Sequence, residues 1–145
     1  MRKYHSFHPN RWNNDYYRLT ERGYRHLVLY WYLESAPESH PTGLYCILPE
    51  SMAAHTKIPV HDVFAILGDL EVVRLIRWDP NAHIVWVLAS CEGQYRWKQG
   101  PDNPIPYKDK RIKEARQHIK SLPSSPLVDE FLQSYPFLGA EEVAQ

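Results

Sequence analysis

A chain of 145 residues with 43% apolar and 13% aromatic content can bury a substantial core, and it fits one domain or one domain with an appendage. The longest apolar run, Leu27 to Leu33, falls well short of the roughly 20 residues that a membrane-spanning helix needs. Cys46 and Cys91 lie far apart and follow no signal-like segment, so a soluble, reduced, cytoplasmic protein is expected.

Formal net charge is zero, yet the charges are segregated along the chain. Residues 1–27 hold six bases against Asp15 and Glu21, a net of +4. Residues 28–93 are net −5, residues 94–120 are net +5, and residues 121–145 have four acids and no base. An acidic centre lies between two basic flanks, so any polyanion site is to be sought on the flanks.

Taken in chain order, Thr20 suits the N-cap of a helix running to about Ser35. Tyr24, Leu27, Val28 and Trp31 recur in it at helical spacing as candidate core, and Pro37 blocks continuation. Basic residues Arg2, Lys3, Arg11, Arg18, Arg22 and Arg25 precede or open this helix, and could form an arm on a nucleic-acid backbone with Trp12 as a core anchor. LYCIL reads as a short strand after the break SAPESHPTG, and PESMAAHTK starts a second helix near Pro49. A turn at Lys57 to Pro59 leads to a third helix, Ile58 to Leu70, with Val63, Phe64, Leu67 and Leu70 as its buried stripe. LIRW and HIVWVLA follow as two strands joined by Asp79-Pro80-Asn81-Ala82.

The order helix, strand, helix, helix, strand, turn, strand predicts an α+β fold, mainly α: a winged helix-turn-helix with a three-stranded antiparallel sheet and C-terminal helices. Residues 1–92 would form the winged-helix domain with its basic arm. Residues 93–107, rich in Pro and Gly, read as a linker. Residues 108–145 would hold amphipathic helices and an acidic tail. In KDKRIKEARQHIKSL, the residues Ile112, Ala115, Ile119 and Leu122 share one arc, while Lys110, Lys113, Arg116 and Lys120 form a basic ridge beside it. Pro123 ends that helix. Ser125 then caps a short helix with Pro126 at its first position and Leu127, Phe131 and Tyr135 on its apolar side.

The succession HLVLYWYLESAP, GLYCILPESMAAHT, VFAILGDLEVVRLIRWDPNAHIVWV and NPIPYKDKRIKEARQHIKSLPSSPLVDEFLQSYPFL resembles a family of phage replication-initiation proteins, the replisome organisers with a DnaD-like N-terminal winged helix. The resemblance covers most of the chain from Trp12 to Leu138. It implies a DNA-linked role in starting replication, without enzymatic activity, through recruitment of a helicase or its loader. One departure is Arg74, where such sequences usually carry the glycine that accepts positive φ after a helix. Either the helix ends by another geometry or Arg74 takes a left-handed backbone at a cost of roughly 1 kcal/mol.

No nucleotide-binding pattern of the GxxxxGK[ST] or GxGxxG kind occurs. The eight histidines lack the convergent spacing of a zinc site, and no GxSxG motif marks a nucleophile; neither cofactor nor metal is expected. Three nucleic-acid candidates remain. The ridge Lys110, Lys113, Arg116 and Lys120 could bind phosphates, and the N-terminal arm could do the same. Tyr95-Arg96-Trp97-Lys98 interleaves rings and bases as a single-strand platform would, although Tyr and Trp there also suit packing onto the core. Arg77 and Lys57 complete the DNA-contact set, on the wing and at the helix turn.

On the third helix, His61, Ala65, Gly68 and Val72 align as an outward face of small residues bordered by Asp62 and Asp69. Base-reading side chains are missing from it. That face is expected to pack against protein, either the chain's own C-terminal helix or a second subunit in a homo-oligomer. A protein-interaction adaptor without DNA binding is therefore the alternative to a DNA-binding replication module.

Overall fold

The computed structural model describes residues 9–95 and 110–139. They form an α+β structure, mainly helical, around one three-stranded antiparallel sheet. A 3-10 turn at Pro9–Asn13 leads to α1 (Asp15–Arg22) and α2 (Tyr24–Ser35). Strand β1 (Leu44–Cys46) precedes α3 (Pro49–Thr56) and α4 (Val60–Val72), and β2 (Ile76–Asp79) and β3 (Ile84–Val87) close the sheet. Helices α5 (Ser90–Tyr95), α6 (Lys110–Ser121) and α7 (Pro126–Ser134) follow, with a 3-10 turn at Pro136–Leu138.

The sheet order is β1-β3-β2, with Leu44 and Arg77 flanking Trp86 and with Cys46 and Asp79 flanking Ile84. Because side chains alternate along a strand, the sheet serves two cores. Tyr45, Ile76, Val85 and Val87 face α1–α4 and join Tyr16, Leu29, Tyr30, Leu33, Met52, Val63, Leu67 and Leu70. Leu44, Ile84 and Trp86 face the other way and are covered by α5, α6 and α7 through Tyr95, Ile112, Ala115, Ile119, Leu127 and Phe131. The C-terminal helix therefore docks on the sheet and not on the small face of α4. The outward-facing apolar side chains of β1 and β3 need that cover.

Several local expectations are revised. Thr20 is not a cap: it lies inside α1, and its hydroxyl donates to the Tyr17 carbonyl at 2.7 Å. Gly23, at φ +135°, separates α1 from α2, a conformation that few side chains tolerate. Tyr24, Val28 and Trp31 are exposed rather than core, and Trp12 is half exposed, edge-on to Tyr16 and Trp31. Phe64 also faces outward, and Ile66 takes its place in the core. The stretch read as linker begins later, since α5 runs to Tyr95 and buries Cys91 and Tyr95; its remainder lies outside the described residues.

Other features follow their local chemistry. Ser125 caps α7 by accepting the Leu127 N–H at 3.1 Å, with Pro126 at the first position. The Asp79 carboxylate accepts the N–H groups of Asn81 and Ala82 at 2.9 and 3.3 Å, which closes the β2–β3 turn. Lys57 ends α3 in a left-handed conformation, and Arg74 adopts φ +62° after α4. Gly43 is needed where it stands: at φ +79°, an added Cβ would lie 2.5 Å from the Val87 carbonyl oxygen.

Candidate nucleic-acid interface

Helix α6 owes its placement to one stripe. Ile112, Ala115 and Ile119 are buried against the outer sheet face, as the periodicity predicts, and Leu122 packs at the edge. Two histidines fix its rotation. The His118 Nε2–H donates to the Leu44 carbonyl at 2.7 Å, and the ring stacks on His40 with centroids 3.7 Å apart and planes 5° from parallel. His40 Nδ1 accepts the Thr42 N–H at 3.1 Å, which leaves Nε2 to donate to Glu114 at 2.9 Å.

Lys110, Lys113 and Lys120 consequently stand exposed on one side of a fixed helix, and no ion pair engages them among the described residues. Arg116 does not belong with them. It is buried and donates through Nε and Nη2 to the Phe137 carbonyl at 2.9 and 2.5 Å, closing the turn after α7. The predicted ridge of four is a ridge of three. Its flank toward the apolar stripe is too close to the sheet for a fourth free cation.

The remaining predicted contacts are scattered. Arg77 is tied to Glu130 of α7 at 2.6 Å, so its charge is compensated. Lys57 is exposed at the α3–α4 turn, in the layer on the opposite side of the sheet from α6. Arg96 and Lys98 lie outside the described residues, as do Arg2 and Lys3. In the N-terminal part, Arg18 pairs with Asp15 at 2.9 Å and Arg25 with Asp62 at 2.7 Å. Arg11 is a structural residue: it meets Glu34 at 2.6 Å and donates to the Tyr30 hydroxyl at 2.7 Å. Burial pushes the Glu34 carboxyl above its ordinary range, against the pull of Arg11 and of the Tyr16 hydroxyl that donates to it at 2.7 Å.

Compared with family models, with curated proteins and with solved structures, the chain gives no match.

The outward face of α4 is as the spacing predicts. His61, Ala65, Gly68 and Val72 are all exposed, and a Cβ added at Gly68 would meet nothing within 4 Å. Phe64 and Val72 make the face apolar. The bordering acids are engaged, Asp62 by Arg25 and Asp69 by the His26 ring at 2.8 Å, so they repel phosphate less than their sequence positions suggest. Sequence reasoning missed a cleft of about 520 Å³ between the end of α4, the sheet and α7, lined by Arg74, Arg77, Trp86 and Glu130. The left-handed Arg74 was the one local signal of it. Among the described residues no group of three or more His, Cys, Asp and Glu converges as metal ligands, and no helix is long and apolar enough to cross a membrane.

Proposed function

We propose that this chain is a non-enzymatic, winged-helix DNA-binding module of the replication-initiation (replisome organiser) type, which helps to recruit a helicase or its loader. The single observation that carries DNA binding is the array Lys110, Lys113 and Lys120, exposed, unpaired by any acid among the described residues, and held rigid by the buried stripe of α6. Phosphate contact needs charge at the right reach and no base-reading groups. The winged-helix reading is supported by the succession β1, α3, α4, β2, β3 and by the sheet order β1-β3-β2. The replication role rests on the family resemblance of the sequence.

A second reading, an interaction adaptor without DNA affinity, is favoured by the open apolar face of α4, where Phe64 and Val72 surround Gly68. One experiment separates the two: a salt titration of binding to duplex and single-stranded DNA, for the parent and for Lys113→Ala/Lys120→Ala. Phosphate binding gives a steep loss of affinity with salt, and the double variant flattens the slope by roughly one unit per lost contact, equally on unrelated sequences. Parent-like affinity and slope in the double variant would set the ridge aside, and no binding by the parent would leave the adaptor.

A further inference from the structure

Helix α2 carries a surface that its own fold does not use. Tyr24, Val28 and Trp31 are 79%, 43% and 46% exposed, and at 100° per residue they fall within one narrow arc, as does Ser35. Trp12, 52% exposed, extends the patch by standing edge-on to Trp31 at 6.3 Å. Two half-bare indoles and a bare tyrosine side by side are costly in water and mark an association surface.

The charges around the patch decide what fits it. Arg11 is neutralised by Glu34, Arg18 by Asp15 and Arg25 by Asp62, all within the chain. Glu21 and Arg22, the last residues of α1 before the patch, are of opposite sign. A surface with its charges internally balanced offers nothing to a polyanion, but meets an identical surface without repulsion. The stripe is also self-complementary in register. In an antiparallel pairing centred on Val28, residues equally spaced on either side of it meet. Arg25 then falls opposite Trp31 of the second copy, a guanidinium-on-indole contact, and Tyr24 falls opposite Tyr32. Val28, the smallest apolar side chain of the stripe, sits where the helices approach most closely, at the 8–10 Å typical of packed helices.

We propose that two copies of this chain associate through the exposed face of α2, packed antiparallel about a two-fold axis at Val28. The contact is isologous, so it closes as a dimer and leaves α6 and the α4 face free. It does not depend on the DNA reading.

Sedimentation equilibrium of the full chain tests it. The parent is expected to show a concentration-dependent mass approaching twice that of the monomer. Val28→Glu and Trp31→Ser, both at half-exposed positions, are expected to give the monomer mass with unchanged circular dichroism and melting temperature. In a Cys46→Ser background, in which Cys91 stays buried, Val28→Cys is expected to form a covalent dimer on mild oxidation, whereas Gly68→Cys on α4 is not. A parent that stays monomeric at all concentrations overturns the proposal, as does a dimer that survives both Val28→Glu and Trp31→Ser, or cross-linking through position 68 and not 28. Salt-dependent DNA binding by the monomeric Val28→Glu variant is read separately, so failure of either idea leaves the other standing.

Discussion

Between the sheet and α1–α4 the contacts are continuous and apolar, from Tyr16 and Leu19 through Leu33 and Met52 to Leu67 and Val87. On the opposite face α6 and α7 also bury an apolar cluster, but their orientation is set by directional polar contacts: His118 to the Leu44 carbonyl, His40 to Glu114, Arg116 to the Phe137 carbonyl, Arg77 to Glu130 and Ser125 to Asp79. The inner layer contains one comparable device, the buried Arg11–Glu34 pair. The contrast teaches how two helical layers on a single sheet divide the work. Non-directional burial supplies cohesion in one, and hydrogen bonds supply register in the other, which fixes where the lysines of α6 stand.

That contrast can be broken from its strongest point downward. Glu34→Ala removes the acid of the inner pair and leaves Arg11 buried without it, at an expected cost of about 3–5 kcal/mol. Thermal or urea unfolding measures it, and a loss below about 1 kcal/mol would mean that solvent already screens the pair. In the outer layer, Arg116→Met keeps the apolar stem but strands the Phe137 carbonyl, and is expected to cost roughly 1.5–3 kcal/mol. The same unfolding experiment reads it, and an unchanged midpoint would return Arg116 to the surface ridge.

The smallest effect carries a pH signature. Ser125→Ala removes the α7 cap at an expected cost of about 1 kcal/mol, and it also removes the hydroxyl that donates to the Asp79 carboxylate at 2.5 Å. That hydroxyl, helped by the Asn81 and Ala82 N–H groups, holds the Asp79 carboxyl below its ordinary range. A depressed carboxyl adds stability above the unfolded-state value of about 3.9, and the contribution fades as pH falls through the lower folded value. The gap between parent and variant should therefore narrow in acid, toward the part due to capping alone. A gap independent of pH would detach Ser125 from Asp79.

What was legible in the sequence was local. The strands were readable from alternation and turn chemistry, the α6 stripe from its period, and the α7 cap from Ser125-Pro126. Helix α2 was misread because it is apolar on nearly every side. Leu27, Leu29, Tyr30 and Leu33 are buried and Tyr24, Val28 and Trp31 are not, a choice made by neighbours and not by period. Arg116 was misread for a related reason. Its helical arc borders the stripe, and only the position of the Phe137 carbonyl, twenty-one residues away, turns it inward. The small face of α4 was correctly read as outward, but the helix expected to cover it had a larger apolar surface to cover on the sheet.

The histidine stack also bears on the order in which the molecule assembles. The contacts from His40 to Glu114 and from Leu44 to His118 each span 74 residues of chain, whereas those within the inner layer span 18 for Tyr16 to Glu34, 23 for Tyr32 to His55 and 37 for Arg25 to Asp62. Long loops cost more entropy to close before any contact rewards them. The inner layer thus has what it needs to form while α6 is still being made, and the stacked imidazoles lock last, onto a strand already in place. During synthesis, the outer sheet face with Leu44, Ile84 and Trp86 is bare for the time it takes to add α6 and α7, and that interval is when this chain has most need of a chaperone.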